Sequence, residues 1–135
     1  MTGDELARAA LELVGTRWKL HGRDPRHGLD CVGVLAVAAA SCGQRVALPN
    51  GYPLRSRRVP DPEDIVRQLS LEPASGSCLP GDVLLLRPGP CQYHLAIAVG
   101  QRCIVHAHCG LRQVVCGALP EGWPTLGHWR PHSSD

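Results

Sequence analysis

The 135-residue chain contains no phenylalanine and only one methionine. Aromatic residues make up only 4% of the chain, so aliphatic side chains and the three tryptophans must fill the interior. Apolar residues nonetheless reach 44%, which is enough to offset the entropy lost on ordering and excludes a disordered chain. Because this length is typical of one domain, we expect a single domain over residues 1–135.

Strong charge and long apolar runs are also missing. The formal net charge of +2 is too small to indicate a nucleic acid or a membrane surface as a partner. No stretch of the sequence is long and apolar enough to span a bilayer. The N-terminus lacks a basic segment followed by an apolar one, so we expect no secretory signal and synthesis in the cytoplasm.

The seven cysteines do not form an obvious disulfide framework. Their number is odd and no secretory signal is expected, which favours free thiols over disulfides. Most are expected to be small buried apolar residues. Local context must show which of them is reactive.

Helical patterns come first along the chain and strand patterns follow. Asp4–Val14 is amphipathic, and an almost wholly apolar helix is predicted between Asp30 as N-cap and Gly43. Gly33 inside this helix indicates a close packing neighbour. A proline- and arginine-rich loop over 49–60 and a short helix over 61–69, capped by Asp61, precede apolar runs within 81–131. This order predicts an α+β domain with a mostly antiparallel sheet.

Cys31 opens the predicted apolar helix. Helix N-termini carry unpaired N–H groups and a partial positive charge, which favour a thiolate and lower the pKa of a cysteine. The amide at the same position can also face a developing oxyanion. Cys31 is therefore a candidate nucleophile, and a buried structural cysteine is the alternative.

His94 and His106 lie on two successive predicted strands. Alternation along the strand places His94 on the same face as small residues, which leaves room for a helix to pack there. The imidazole could then take the proton of a thiol. A core histidine is the alternative. His106 could orient His94 if a three-residue loop, 100–102, pairs Val99 with Cys103. That loop would put Arg102 in the left-handed region.

The other histidines and tryptophans receive no catalytic role from their positions. We expect solvent-exposed histidines in loops or near the C-terminus, namely His21, His27, His108, His128 and His132. Trp123 and Trp129 are expected in the core or in a lid.

Several short motifs, in this order and spacing, resemble the NlpC-type cysteine peptidases, papain-like enzymes that cleave cell-wall peptides. The resemblance covers most of the chain, from Leu6 to Pro131. The motifs are Gly15-Thr16-Arg17-Trp18, Asp30-Cys31-Val32-Gly33-Val34, Pro80-Gly81-Asp82-Val83-Leu84-Leu85, His94-Leu95-Ala96-Ile97 and Ile104-Val105-His106-Ala107. The stretch Gly22–Cys31 is similar to a subgroup encoded with the tail genes of phages and gene-transfer agents.

This resemblance implies a papain-like fold and a peptidase that cuts peptidoglycan stem peptides between D-glutamate and a diamino acid. Cys31 would attack, His94 would act as the base and His106 would be the third residue, with no metal or other cofactor. Asp30 would contact a substrate amine as well as cap the helix. Trp18 stands where the family usually has tyrosine near the oxyanion, and an indole N–H donates but cannot accept.

The resemblance also implies incorporation in a phage-like particle, with tail or gene-transfer-agent proteins as partners. Three other functions remain open. The first is a structural tail protein with this fold and little activity, and the second is an acyltransferase or thioesterase with the same Cys–His chemistry. The third is a zinc site at Cys91-x-x-His94 and Cys103-x-x-His106, near His108 and Cys109, which would require turns instead of strands.

Overall fold

The computed structural model describes residues 1–47 and 62–132. Their helices are α1 (Gly3–Glu12), α2 (Cys31–Ser41) and α3 (Glu63–Gln68). The strands are β1 (Arg23–Asp24), β2 (Gly28–Leu29), β3 (Leu71–Pro73), β4 (Val83–Leu86), β5 (His94–Ala98), β6 (Cys103–His108), β7 (Gln113–Ala118) and β8 (Thr125–Pro131). The predicted 49–60 loop and the Asp61 cap lie outside the described residues.

The main sheet has six strands in the order β3-β8-β4-β5-β6-β7, and each neighbouring pair is antiparallel. Strands β1 and β2 form a separate two-stranded sheet before α2. The α+β prediction with a mostly antiparallel sheet is therefore confirmed. Strand β3 and the small β1–β2 sheet were not predicted, because two or three residues are too few for a periodic pattern.

Helix α2 begins and ends where its sequence signals predict. The Asp30 side chain accepts a hydrogen bond from the Gly33 amide at 2.8 Å, which satisfies one of the unpaired donors of the first turn. Gly43 follows the end of the helix with a φ of +86°, a conformation that glycine adopts without strain. Seven of the eleven helical residues are buried, as the continuous apolar sequence indicates.

Helix α1 begins with a capping box. The Thr2 hydroxyl accepts from the Glu5 amide, and the Glu5 carboxylate accepts from the Thr2 amide. The helix ends at Glu12, two residues before the predicted Val14. Gly15 follows with a φ of +93° and donates its amide to the Val114 carbonyl at 2.8 Å, so tertiary pairing draws the chain away from the helix.

Gly33 has the close neighbour that its position predicts. A Cβ at this residue would lie 2.0 Å from the carbonyl oxygen of Gly22. That oxygen belongs to the backbone of the loop before α2, so it has no flexible end that can move aside. Gly33 therefore allows the loop carrying Arg23 to lie directly on the first turn of α2.

The two faces of the main sheet are covered by different elements. On one face, α2 and α1 pack against Leu95, Ile97 and Val105 in the larger apolar cluster, which also contains Cys31. On the other face, Leu84, Leu86, Ala96 and Ile104 form a smaller cluster covered by Cys78, Leu119 and Trp123. The prediction that α2 docks on the face of His94 and Ala96 is thus wrong: the helix lies on the face with the larger aliphatic side chains.

The β5–β6 hairpin has the register that a shared face for the two histidines requires. Ile97 pairs with Val105, and the Val99 amide donates to the Cys103 carbonyl at 2.9 Å, which leaves a three-residue loop. This prediction is confirmed. The expectation that Arg102 is left-handed is wrong, because the positive φ values of non-glycine residues in the described part of the chain fall elsewhere, at His21, Ser70, Cys91 and Arg112.

Asp82 joins the beginning of β4 to β8 beneath the smaller cluster. Its fully buried carboxylate accepts from Arg130 Nε at 2.8 Å and Nη2 at 2.9 Å, and it bonds His128 Nε2 at 2.6 Å. These bonds hold the pKa of Asp82 below its usual value against the opposing effect of burial. His128 is therefore a partner of a buried carboxylate, which corrects the expectation of a solvent-exposed histidine.

Among the described residues, each helix lacks the combination of length and apolar character that crossing a membrane requires.

We predict that Gly33→Ala destabilises the protein although alanine is the better helix former. The overlap with the Gly22 carbonyl should cost about 3 kcal/mol, more than the roughly 1 kcal/mol that helix propensity returns. Urea denaturation measures the difference. Gly117→Ala is the matched control, since nothing lies within 4 Å of its added Cβ. Equal stability of the two variants would contradict the close approach.

Candidate active site

Cys31 is the first residue of α2 and is almost completely buried. As the first helical residue, its amide has no acceptor within the helix and is free to bind an oxyanion. The thiol faces the backbone of β5 at Leu95, the residue that follows His94. The start of α2 is thus next to the strand that carries the candidate base.

Burial raises the pKa of the Cys31 thiol to about 12. The charge of neighbouring Asp30 raises it further, and the backbone amides of Leu95 and Val32 offset only part of the effect. The expected lowering by the helix N-terminus is therefore not observed. Cys31 is a thiol at neutral pH, because desolvation of a thiolate outweighs the helix dipole here.

Asp30 is bonded on both carboxylate oxygens. It accepts from the Gly33 amide, the His21 amide and Arg23 Nη1, each at 2.8 Å. Only 1% of its surface is exposed. The cap is present as predicted, but no oxygen of Asp30 is open at the surface, so the structure favours a structural role over contact with a substrate amine.

Part of the Arg23 guanidinium group makes no hydrogen bond to the described residues. Its Nη1 donates to Asp30 and to the Gly22 carbonyl, at 2.8 and 2.9 Å. Its Nε and Nη2 are buried and have no hydrogen-bond partner in the described part of the chain. Its positive charge acts on the Cys31 thiol. An unpaired guanidinium edge therefore lies near the start of α2.

His94 and His106 are joined by a hydrogen bond between His94 Nε2 and His106 Nδ1, 2.8 Å long. Their rings are nearly perpendicular, with centroids 4.9 Å apart. Because Nε2 of His94 is engaged, Nδ1 is the nitrogen available to a thiol or a substrate. The structure thus brings two of the three candidate catalytic residues into the relation of a base and its orienting partner.

Trp123 and His108 complete this cluster, and the sequence reasoning gave neither a role in it. The indole of Trp123 meets His94 and His106 edge to face, at centroid distances of 5.8 and 5.7 Å. The His108 ring lies 5.7 Å from that of His106. Since His106 and His108 are two residues apart on β6, strand alternation could have placed them on one face. No local signal indicated Trp123.

Burial keeps both paired imidazoles neutral. It lowers the pKa of His94 to about 3, with the positive charges of His106 and His108 as smaller contributions. It lowers the pKa of His106 to about 4, with His108 again contributing. A neutral imidazole can accept a proton, so His94 has the protonation state of a general base at neutral pH.

Cys31 and His94 are not hydrogen-bonded to each other. Within residues 1–47 and 62–132, no hydrogen bond joins the Cys31 sulfur to an imidazole. The His94 side chain shares a face with Leu86, its cross-strand partner, whereas Cys31 packs on the opposite face with Leu95. The thiol therefore lies on the other face of the sheet from the imidazole of the candidate base.

Trp18 is anchored by its backbone. Its amide donates to the Arg112 carbonyl at 3.0 Å, and it forms a bridge with Leu29, two residues before Cys31. The indole packs against the larger apolar cluster. Its N–H makes no hydrogen bond within the described residues, so the structure does not supply evidence for an oxyanion contact.

The residues of the predicted zinc alternative are not brought together. Among the described residues, only Cys78, Asp82 and His128 have potential ligand atoms close enough to share a metal ion. In that group the Asp82 carboxylate already binds Arg130 through two nitrogens. A cation there would have to displace the guanidinium, so these residues fit an ion pair better than a metal.

We predict that acid destabilises the protein through His94 and His106. Both have lower pKa values folded than the ordinary 6.5, so the unfolded chain binds more protons below that pH. Their contribution is complete above pH 6.5 and is lost as the pH falls toward 4 and 3. His94→Gln should lower the slope of unfolding free energy by about 1.4 kcal/mol per pH unit between pH 6 and 4.

Urea denaturation at a series of pH values measures this slope. His27→Gln, at an exposed loop position, is the control and should keep the slope of the unmodified protein. Equal slopes for the two variants would show that His94 titrates normally in the folded protein.

Comparisons of the sequence with family models and with curated proteins found no match. Similar solved structures do exist. NlpC1 from Trichomonas vaginalis superposes with a TM-score of 0.68 at 18% identity, over 98% of this chain and 45% of that one. An NlpC/P60 family protein from Bacillus cereus gives 0.65 at 19% identity, over 97% and 40%.

The NlpC/p60 domain of the peptidoglycan hydrolase SagA gives a TM-score of 0.63 at 21% identity, over 98% of this chain and 100% of that domain. The present chain spans less than half the length of the T. vaginalis and B. cereus proteins. At these identities the likeness concerns the fold. The chain therefore has the papain-like fold of the NlpC/P60 proteins.

Proposed function

We propose that this protein is a cysteine peptidase that hydrolyses an amide bond in peptidoglycan stem peptides, between D-glutamate and a diamino acid. The observation that carries the proposal is the hydrogen bond between His94 and His106, because His94 precedes Leu95, whose backbone contacts the Cys31 thiol. The fold supports it, because one similar structure is a domain of a peptidoglycan hydrolase.

In the proposed reaction, the Cys31 sulfur attacks the amide carbonyl carbon while the thiol proton moves to His94 Nδ1. The Nε2–H group of His94 donates a hydrogen bond to His106 Nδ1 throughout and keeps its proton, which fixes the tautomer and the ring orientation. His94 then protonates the leaving amine, and the acyl group stays on sulfur until water hydrolyses it. The Cys31 amide stabilises the oxyanion in both steps.

The raised pKa of the Cys31 thiol and the lowered pKa of the His94 imidazole determine the order of proton transfer and attack in the proposed reaction. Both groups are neutral near pH 7, so a thiolate–imidazolium pair is not formed in advance. The proton must leave sulfur as the bond to carbon forms, which is general-base catalysis in the manner of a serine hydrolase. Substrate binding would have to bring the ring and the sulfur together at the start of β5.

Arg23 supports an acidic substrate. A D-glutamyl residue linked through its side chain keeps a free carboxylate, and the unused Nε and Nη2 of Arg23 are the fork that binds a carboxylate through two hydrogen bonds. Such binding would also satisfy two buried donors that are otherwise unpaired. Because both nitrogens are buried, the loop that carries Arg23 would have to shift for a substrate carboxylate to reach this edge in the proposal.

The association with phage-like particles is a further part of the proposal. It rests on the similarity of residues 22–31 to the subgroup encoded with tail genes. Tail or gene-transfer-agent proteins would then be the partners, and the peptidase would open the cell wall for the particle.

A structural tail protein with this fold is the second candidate function. The missing hydrogen bond between Cys31 and the imidazoles and the high thiol pKa favour it. It predicts a folded protein with no hydrolysis at any pH, so an activity measurement separates the two candidates.

We predict that Cys31→Ala abolishes release of the diamino acid portion from purified stem peptides, with a loss of about 10³-fold or more in kcat/KM. His94→Ala should act similarly. His106→Ala should lose about 10²-fold, because it removes only the orienting partner. Mass spectrometry of the products measures each rate and identifies the bond that is cut.

Cys42→Ser is the matched control, because Cys42 lies at the other end of the same helix and should leave activity unchanged. Hydrolysis that survives Cys31→Ala, or its absence from the unmodified folded protein, would contradict the peptidase proposal.

We predict that alkylation of Cys31 by iodoacetamide is slow at pH 7 and rises continuously toward pH 10, since the thiol pKa is about 12. Peptide mapping after brief exposure measures modification at each cysteine. The exposed Cys109 is the internal control and should react faster at every pH. Rapid labelling of Cys31 below pH 6 would instead reveal a thiolate–imidazolium pair.

A further inference from the structure

Two cysteines outside the candidate active site lie side by side on the β6–β7 hairpin. The sulfurs of Cys103 and Cys116 are 3.4 Å apart, and neither belongs to a disulfide. The other cysteines of the described residues form no such pair. The proximity is therefore specific to this hairpin and does not follow from the high number of cysteines alone.

The strand register explains the proximity. Cys116 is the cross-strand partner of Val105, and Cys103 pairs with Ala118. The two cysteines are thus diagonal neighbours on the same face of two adjacent strands, within reach of each other across the ladder. Cys103 is partly exposed and Cys116 is exposed at the sheet edge, so a small oxidant can reach them.

We propose that Cys103 and Cys116 are a redox-active pair that closes into a disulfide on exchange with a low-molecular-weight disulfide such as glutathione disulfide. One thiolate attacks the small disulfide, forms a mixed disulfide and releases one small thiol. The second cysteine then attacks the protein sulfur of that mixed disulfide and releases the second small thiol. The protein loses two electrons and two protons, and the oxidant is reduced to two thiols.

The disulfide would act on the strand that carries His106. β7 is the edge strand next to β6, and Gly15–Arg17 bonds only its first residues, so the disulfide would tie the edge strand to the strand that carries His106. His106 points to the opposite face from Cys103, and Cys31 lies on another element. Oxidation would therefore stabilise the hairpin without consuming the candidate nucleophile, independently of whether the proposed peptidase activity is real.

The test uses the folded Cys109→Ser protein, because Cys103 and Cys109 otherwise share one tryptic peptide. The protein is incubated with glutathione disulfide at pH 8.5, blocked with an alkylating reagent and digested without reduction. We expect a linked pair of peptides, 103–112 joined to 113–135, and an increase in Tm of about 10 °C over the reduced protein. Dithiothreitol should reverse both changes.

Cys116→Ser in the same background is the matched control. It should stop at a glutathione adduct on Cys103, with no linked peptides and no increase in Tm. Separate adducts on Cys103 and Cys116 without a link, or two unmodified thiols after prolonged exposure, would overturn the proposal. Either result is independent of peptidase activity, which is measured separately.

Discussion

The buried carboxylate of Asp30 is the interaction on which the candidate site depends. It caps α2, it binds the His21 amide, and it holds Arg23 in the loop that precedes the helix. The same contact fixes the first turn of α2 and hence the direction of Cys31. The approach is so close that residue 33 must be glycine, since a side chain there would overlap the Gly22 carbonyl. One carboxylate thus links the loop, the helix and the candidate nucleophile.

Low polarity is the second constraint on the site. The thiol of Cys31 and the imidazoles of His94 and His106 are all held in their neutral forms, because desolvation outweighs the charges nearby. Trp123 contributes to this environment by covering both rings. In such a site, a hydrogen bond between neutral groups is what orients the base, and proton transfer must accompany the attack on the substrate.

The docking of α2 shows where sequence reasoning failed. Small residues beside His94 suggested a surface that a helix could approach, yet α2 covers the face of Leu95 and Ile97. Burying the larger aliphatic side chains removes more apolar surface from water, and that term decides which face a helix covers. The smaller cluster that contains Ala96 is instead covered in part by Trp123, from a loop far along the chain. The alternation of side chains along a strand shows which residues share a face of the sheet, but it does not show which element packs on that face.

The sequence by itself determined the local signals: the Asp30 cap, the glycine after α2, and the succession of helices and then strands that predicts an α+β domain. Each of these depends on residues near one another in the chain, whose backbone geometry is restricted by sterics and local hydrogen bonds. Only the tertiary structure decided the burial of Cys31, the neutral imidazoles, the role of Trp123 and the proximity of Cys103 to Cys116. These depend on how distant segments share a limited interior, and the cost of desolvation there is set by packing that no local pattern contains.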